Sequence, residues 1–179
     1  MRGERKLPSP NCDARPPAAE LELIVVHGIS LPPGEFGGRW IDDLFINCLD
    51  ATAHPYFAAV APLRVSAHVL ISRDGRLTQF VSFAARAWHA GPSSFRGREC
   101  CNDFSIGIEL EGADDVAYEA AQYRRLAELV NSLRDAYPTL AGAELVGHSD
   151  IAPGRKTDPG PSFDWSLLRG SLEPAVSRS

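Results

Sequence analysis

The sequence predicts an α/β domain with a mixed central β-sheet flanked by helices, and three observations carry that prediction. The run "LELIVVHG" is apolar, β-branched and too short for a helix, the signature of a buried strand. Two further stretches, "LRVSAHVLISRDGRLTQFVS" and "FSIGIELEG", alternate apolar and polar residues with the period of a strand. Between the last of these and the C-terminus lies one long segment with helical periodicity. Strands interleaved with a long helix bury their apolar faces against one another as layers.

Taken in order, residues 21–27 form the first predicted strand, which Gly28 ends. "ISLPPGEFGGRW" follows as a loop, because Pro32-Pro33 and three glycines deny it a regular ladder. Residues 40–50 suit a short helix or an irregular turn, and a helical turn is expected after Pro55. In the hairpin, Leu63, Val65, Ala67, Val69 and Ile71 share one face, and Arg64, Ser66 and His68 the other. Asp74-Gly75 suits the turn, and residues 77–82 return as the partner strand. "WHAGPSSFRGRECCND" reads as loop. In the next strand Ile106, Ile108 and Leu110 oppose Ser105, Gly107, Glu109 and Glu111. From Glu119 to about Tyr137, apolar Tyr123, Leu126, Ala127, Val130, Leu133 and Tyr137 recur at steps of three and four, and Pro138 stops the helix. A short strand is expected near residues 143–146 and a short closing helix in "FDWSLLRG".

A chain of 179 residues with 44% hydrophobic composition fills a core without disulfides, as one domain over residues 1–179 with its core at about 20–170 and residues 1–19 as an extended lead. The formal net charge of -5 argues against a polyanion-binding surface, so no nucleic-acid partner is expected. No apolar stretch reaches the roughly 20 residues of a membrane span, and the charged, proline-rich start lacks a signal-type apolar run. Cys12, Cys48, Cys100 and Cys101 read as reduced thiols. The expected setting is the cytoplasm, with no membrane partner.

"GHSDIAPGRKTDPGP", residues 147–161, concentrates a histidine, two aspartates and a basic pair in a stretch whose prolines and glycines argue against a helix or a central strand. His27 ends one strand and His148 follows another, and strand ends are rigid places from which to aim chemistry. A hydrolytic zinc site takes three nitrogen or oxygen ligands and leaves one position open. Two imidazoles and a carboxylate satisfy it, with Asp150 and Asp158 both eligible by spacing. Glu109 is either an exposed strand carboxylate or an acid/base group, with Gly107 beside it leaving room for substrate. Lys156 is either a plain loop lysine or an oxyanion stabiliser. Trp88 packs on the core or offers a platform to a sugar ring. No HExxH helix, no G-x-S-x-G elbow and no activated thiol pattern at Cys100-Cys101 points to a competing chemistry.

The runs "VVHGISLPPGEFGG", "AHPYF", "LRVSAHVLISRDG", "RAWHAG", "CNDFSIGIELEG" and "GHSDIAPGRKTDPGP" occur in order over nearly the whole chain. Together they resemble the zinc-dependent N-acetylmuramoyl-L-alanine amidase family, related to phage amidases and peptidoglycan recognition proteins. Within it, the likeness is to the cytosolic branch that acts on 1,6-anhydro-muropeptides in cell-wall recycling. The resemblance implies zinc held by His27, His148 and Asp158, with Glu109 as acid/base and Lys156 stabilising the transition state. It also implies Trp88 on the sugar side, Arg64 meeting the peptide's carboxylates, and a small soluble anhydro-muropeptide as substrate. His68 and His89 match family histidines that are not ligands and are expected to be structural or cleft-lining. Non-catalytic wall-fragment receptors and exported wall-trimming amidases share the scaffold and stand as alternatives. The chain departs from the family pattern at Gly28, where asparagine is frequent, at Cys100, where arginine is usual, and at Ser149, where cysteine is usual. The changes at 28 and 100 bear on stem-peptide affinity.

Overall fold

The computed structural model describes residues 5–172. In chain order its strands are β1 (Arg5–Lys6), β2 (Cys12–Ala14), β3 (Leu23–Ile29), β4 (Val69–Ile71), β5 (Leu77–Gln79), β6 (Ala85–Ala87), β7 (Ser94–Phe95), β8 (Arg98–Glu99), β9 (Ser105–Glu111) and β10 (Glu144–Gly147). Its helices are α1 (Trp40–Phe45), α2 (Phe57–Val60), α3 (Ala120–Ala136), α4 (His148–Ile151) and α5 (Trp165–Gly170). Six strands form one mixed sheet in the order β1-β5-β4-β9-β3-β10, in which β4, β9, β3 and β10 are mutually parallel and β5 runs antiparallel to β4.

The two seven-residue strands at the centre set the layers. On one face Ile24 and Val26 of β3 and Ile106, Ile108 and Leu110 of β9 join Leu126, Leu129, Val130 and Leu133 of α3 in a single buried cluster. Each such side chain contributes roughly 1.5–3 kcal/mol by leaving water. The helix is tied to the sheet by Gln122. Its Oε1 accepts the Glu119 N–H at 3.0 Å, and its Nε2 donates to the carbonyls of Ile71 (3.2 Å) and Glu111 (3.0 Å). On the opposite face α1 and α2 cover Leu70 through Ile41, Leu44, Phe45 and Phe57. Beside them Leu23 and Val25 pack with Ala90, Phe104, Val146 and Ile151. Helices therefore lie on both sides of the sheet, as parallel strands require. The carboxyl ends of the four parallel strands gather along one margin, the usual place for a ligand in such a sheet.

Several boundaries differ from the sequence expectation. Gly28 does not end the first strand: β3 runs on through it to Ile29, because Gly28 pairs with Leu110 of β9. Within the predicted 63–71 strand only Val69–Ile71 keeps regular pairing. The ladder breaks at His68, whose carbonyl accepts N–H groups from both Phe80 (2.9 Å) and Val81 (3.3 Å). Ser66 and His68, read as the polar face, are buried. The loop at residues 88–103 contains the β7–β8 hairpin and a 3-10 turn at Cys101–Asp103. Residues 147–161 open with one helical turn, α4, contrary to the expectation drawn from their prolines and glycines. It forms because Gly147 stands at its N-cap, the prolines and the other two glycines lie beyond it, and the Asp150 carboxylate caps it, accepting the Gly147 N–H at 2.7 Å.

The N-terminal lead is stitched to the body, β1 against β5 and β2 against β6. Behind β2 the Arg15 guanidinium enters the protein and donates to the carbonyls of Asn102 (3.0 Å), Asp103 (3.0 Å), Phe83 (3.3 Å) and Ser105 (3.0 Å). It also lies 3.0 Å from His68 Nε2. Among the described residues no helix is long and apolar enough to cross a membrane.

Candidate active site

Parallel register sets His27 of β3 directly beside Glu109 of β9 at the carboxyl margin of the sheet. Next to them β10 ends at Gly147 and hands the chain to His148, the first residue of α4. The following loop folds back so that the Ser149 N–H donates to the Asp158 carbonyl at 3.0 Å. Three distant segments thus meet. His27 Nδ1 lies 2.9 Å from His148 Nδ1, and Asp158 Oδ2 lies 3.3 Å from the first and 3.1 Å from the second. The two imidazoles are buried.

These atoms fit a zinc ion by two tests. Bonds of 2.0–2.1 Å in tetrahedral array put ligand atoms about 3.3 Å apart, close to the three separations observed. The protons are also elsewhere: His148 Nε2 lies 3.1 Å from the Ala90 carbonyl, to which it donates, so its Nδ1 presents a lone pair toward the other two donors. Two nitrogens and a carboxylate oxygen directed at one point form the donor set of a catalytic zinc site. Asp150, a candidate only if the loop curled sharply, is exposed and held at the cap of α4, so the geometry selects Asp158.

Glu109 is buried, and its Oε2 has no hydrogen-bond partner. Burial pushes its carboxyl well above the ordinary glutamate range; the charge of Asp158 adds to the rise and Lys156 opposes it. The reading of Glu109 as an exposed strand carboxylate is therefore overturned, because the face it occupies is covered by the loops that wall the groove. For Asp158 burial also pushes upward, yet hydrogen bonds to His148 and His27 and the charges of both imidazoles hold the carboxyl well below its usual value. Burial lowers His27 to about 4.

A groove of about 620 Å³ opens over these groups. Glu109, His148, Asp158 and the exposed Lys156 line it, and Tyr56, Val60, Leu63 and Val65 form an apolar wall. Arg64 stands exposed between two lining residues, its guanidinium against the carbonyls of Ala61, Pro62 and Leu63. Trp88 adjoins the groove through its neighbours: its N–H donates to Ser66 Oγ at 3.2 Å, and its side chain hydrogen-bonds the Asp13 carboxylate. Gly28 lies in the groove, whereas Cys100 borders a separate hollow with Glu99, Ile151, Pro153 and Arg155. The space beside Gly107 is filled by the His89 imidazole, with which a Cβ would overlap, so no room for substrate opens there. Sequence reasoning missed Tyr118, whose ring lies over Gly28 and Gly112 and whose hydroxyl donates to the Pro159 carbonyl at 3.0 Å, bracing the residue after Asp158. It also missed Arg155, which donates to the carbonyls of Ala90 (2.6 Å) and Pro92 (2.7 Å). Neither carries a spacing signal.

Comparison with known proteins agrees with this geometry. The family model described as N-acetylmuramoyl-L-alanine amidase matches residues 17–161. The chain belongs to that family. The amidase is 60% identical over 171 residues to the 1,6-anhydro-N-acetylmuramyl-L-alanine amidase AmpD of Citrobacter freundii, covering 96% of this chain and 91% of the relative. A crystal structure of an Se-Met AmpD derivative superposes with a TM-score of 0.93 at 58% identity, covering 97% of this chain and 96% of that one. AmiD of E. coli, solved with the substrate anhydro-N-acetylmuramic acid-L-Ala-D-gamma-Glu-L-Lys, gives a TM-score of 0.60 at 30% identity over 88% of the amidase and 60% of the AmiD chain.

Proposed function

We propose that this amidase hydrolyses the amide joining the lactyl group of 1,6-anhydro-N-acetylmuramic acid to the L-alanine of the stem peptide, with zinc as cofactor, in cell-wall recycling. The observation that carries the reading is the meeting of two imidazole nitrogens and a carboxylate oxygen beside the buried, unpartnered Glu109 carboxylate. The substrate of the AmpD relatives and the sugar-peptide bound by AmiD support the choice of substrate. The groove volume is that of a site for a compact soluble ligand.

In this reading His27, His148 and Asp158 would hold the zinc, which when bound would supply Lewis-acid polarisation of the scissile carbonyl and a water acidified from a pKa of 15.7 toward about 7. Glu109 accepts a proton from the attacking water as the new C–O bond forms. Its buried carboxylate has no competing donor, which makes it a strong proton acceptor. Lys156 presents its ammonium to the oxygen that gains negative charge. Glu109 then delivers its proton to the alanine nitrogen as the C–N bond breaks, and the stem peptide leaves as a free amine. Arg64, exposed at the mouth, meets the acidic groups of the stem peptide. Trp88 serves the sugar side, its backbone held beside the groove by donating to Ser66, a residue of the groove lining.

The cytoplasm is the proposed compartment. All four cysteines are free thiols, as a reducing setting requires. The test compares zinc-loaded protein on a soluble anhydro-muropeptide and on intact sacculi. Zinc-dependent release of an L-alanine-terminated amine from the soluble fragment is expected. Absence of release from both substrates overturns the reading, and faster release from sacculi moves the enzyme to the intact wall.

A further inference from the structure

We infer that His89 is a positioning residue for the metal centre, the middle link of a buried hydrogen-bond chain that begins at the Cys101 carbonyl and leaves His27 Nδ1 bare toward the zinc. The inference rests on the zinc reading above. The chain of hydrogen bonds has one direction, because a carbonyl oxygen only accepts. Ser105 Oγ, 2.5 Å from the Cys101 carbonyl, therefore donates its single hydrogen there. The hydroxyl is left with lone pairs, so His89 Nε2, 3.2 Å away, must supply the hydrogen between them. A neutral imidazole carries one N–H, which leaves His89 Nδ1 as an acceptor. It lies 2.9 Å from His27 Nε2, which donates to it. His27 then holds its hydrogen on Nε2 and turns a free Nδ1 toward His148 Nδ1 and Asp158 Oδ2.

The ring that performs this is fixed from three sides. Gly107 gives it a seat that any side chain would occupy. The backbone N–H groups of His89 and Ala90 both donate to Asn102 Oδ1, at 3.1 and 2.8 Å. Ser105 holds its far nitrogen. The same clamped dipeptide serves the second histidine, since the Ala90 carbonyl accepts from His148 Nε2 at 3.1 Å. Residues 89 and 90 thus orient both zinc imidazoles, His148 in one step and His27 through a relay. Sequence spacing gives no hint of it, because the partners come from positions 27, 89, 101, 105 and 148.

Outer hydrogen-bond partners of this kind change metal affinity roughly 10–100-fold when removed. Zinc affinity, measured by competition with a chromophoric chelator, is expected to fall by that factor in His89→Ala, with a changed visible spectrum after cobalt substitution. His89→Gln, whose amide oxygen can accept from His27 Nε2, recovers part of the loss. Ser105→Ala weakens zinc binding less, and nitrogen-15 NMR of its metal-free form shows the His89 tautomer released. In metal-free wild type the same NMR experiment places the hydrogens of His27, His89 and His148 on Nε2. A hydrogen on His27 Nδ1, or unchanged zinc affinity in folded His89→Ala, overturns the inference. Should that variant fail to fold, unchanged affinity in both His89→Gln and Ser105→Ala overturns it equally. Wild-type protein that takes up no zinc brings down the zinc reading itself, whereas normal uptake in wild type and variants alike removes only this inference.

Discussion

The floor and the mouth of the groove are made of different backbone. On the floor, His27 and Glu109 project from the two central strands and His148 from the first residue after a third. Their neighbours are buried, and each imidazole nitrogen that does not face the metal position has a partner. At the mouth, Tyr56, Leu63, Arg64 and Lys156 stand on loops and short turns, exposed to solvent. Strands that pair along seven residues hold an atom to within the tolerance chemistry needs, while loops tolerate sequence change. The departures from the family pattern do not follow this division, because Gly28 lies on β3 within the groove and Ser149 directly follows His148. The metal set and Glu109 are retained, whereas Cys100 falls in an exposed turn outside the groove.

Substitutions can break or sharpen this contrast. The largest effect is expected at Asp158→Ala, which removes a zinc ligand. Metal affinity should fall by more than the 10–100-fold typical of an outer partner, and turnover should vanish with it, as read by zinc analysis and amine release on the same sample. Next comes Glu109→Ala, a floor residue off the metal. Zinc content should stay near one per chain while kcat drops about 10²–10⁴-fold; near-normal turnover would remove Glu109 from its role. Arg64→Ala tests the mouth: KM should rise less than about tenfold, with kcat unchanged, as for an exposed residue that contributes binding alone.

The smallest expected effect is on stability. In zinc-stripped protein the folded-state pKa of Glu109 lies above its unfolded value, chiefly because of burial. The folded chain then holds a proton that the unfolded chain has released, so the stability present below the ordinary glutamate value is lost as the pH rises through the folded one. Glu109→Gln should therefore raise the Tm of the metal-free protein at pH 7–8 and leave it unchanged near pH 4. A relief of ~1–3 kcal/mol corresponds to about 2–4 °C per kcal/mol at this chain length. Thermal scans at the two pH values check it.

Much of the floor was legible in the sequence. The alternation in "FSIGIELEG" places Glu109 opposite Ile108 and Leu110, and the apolar run ahead of His27 marks a buried strand. What one-dimensional pattern could not supply was depth. A strand covered on both faces buries its polar side too, so alternation alone left Glu109 readable as a surface residue. Spacing also left both Asp150 and Asp158 open; the difference lies in a cap formed by one and a chain reversal that delivers the other. The break at His68 and the continuation of β3 through Gly28 arise from pairing with strands far away in sequence, which local propensity does not encode.

Arg15 ties the start of the chain to its centre. Its guanidinium joins the carbonyls of residues 83, 102, 103 and 105, two of them the residues whose side chains hold the 89–90 dipeptide in place. The opening segment accordingly works as a wedge driven in from outside. Trimming it, or fusing a bulky tag so close that the wedge is drawn back, would loosen the histidine shell from behind while leaving every ligand and catalytic side chain in the sequence intact.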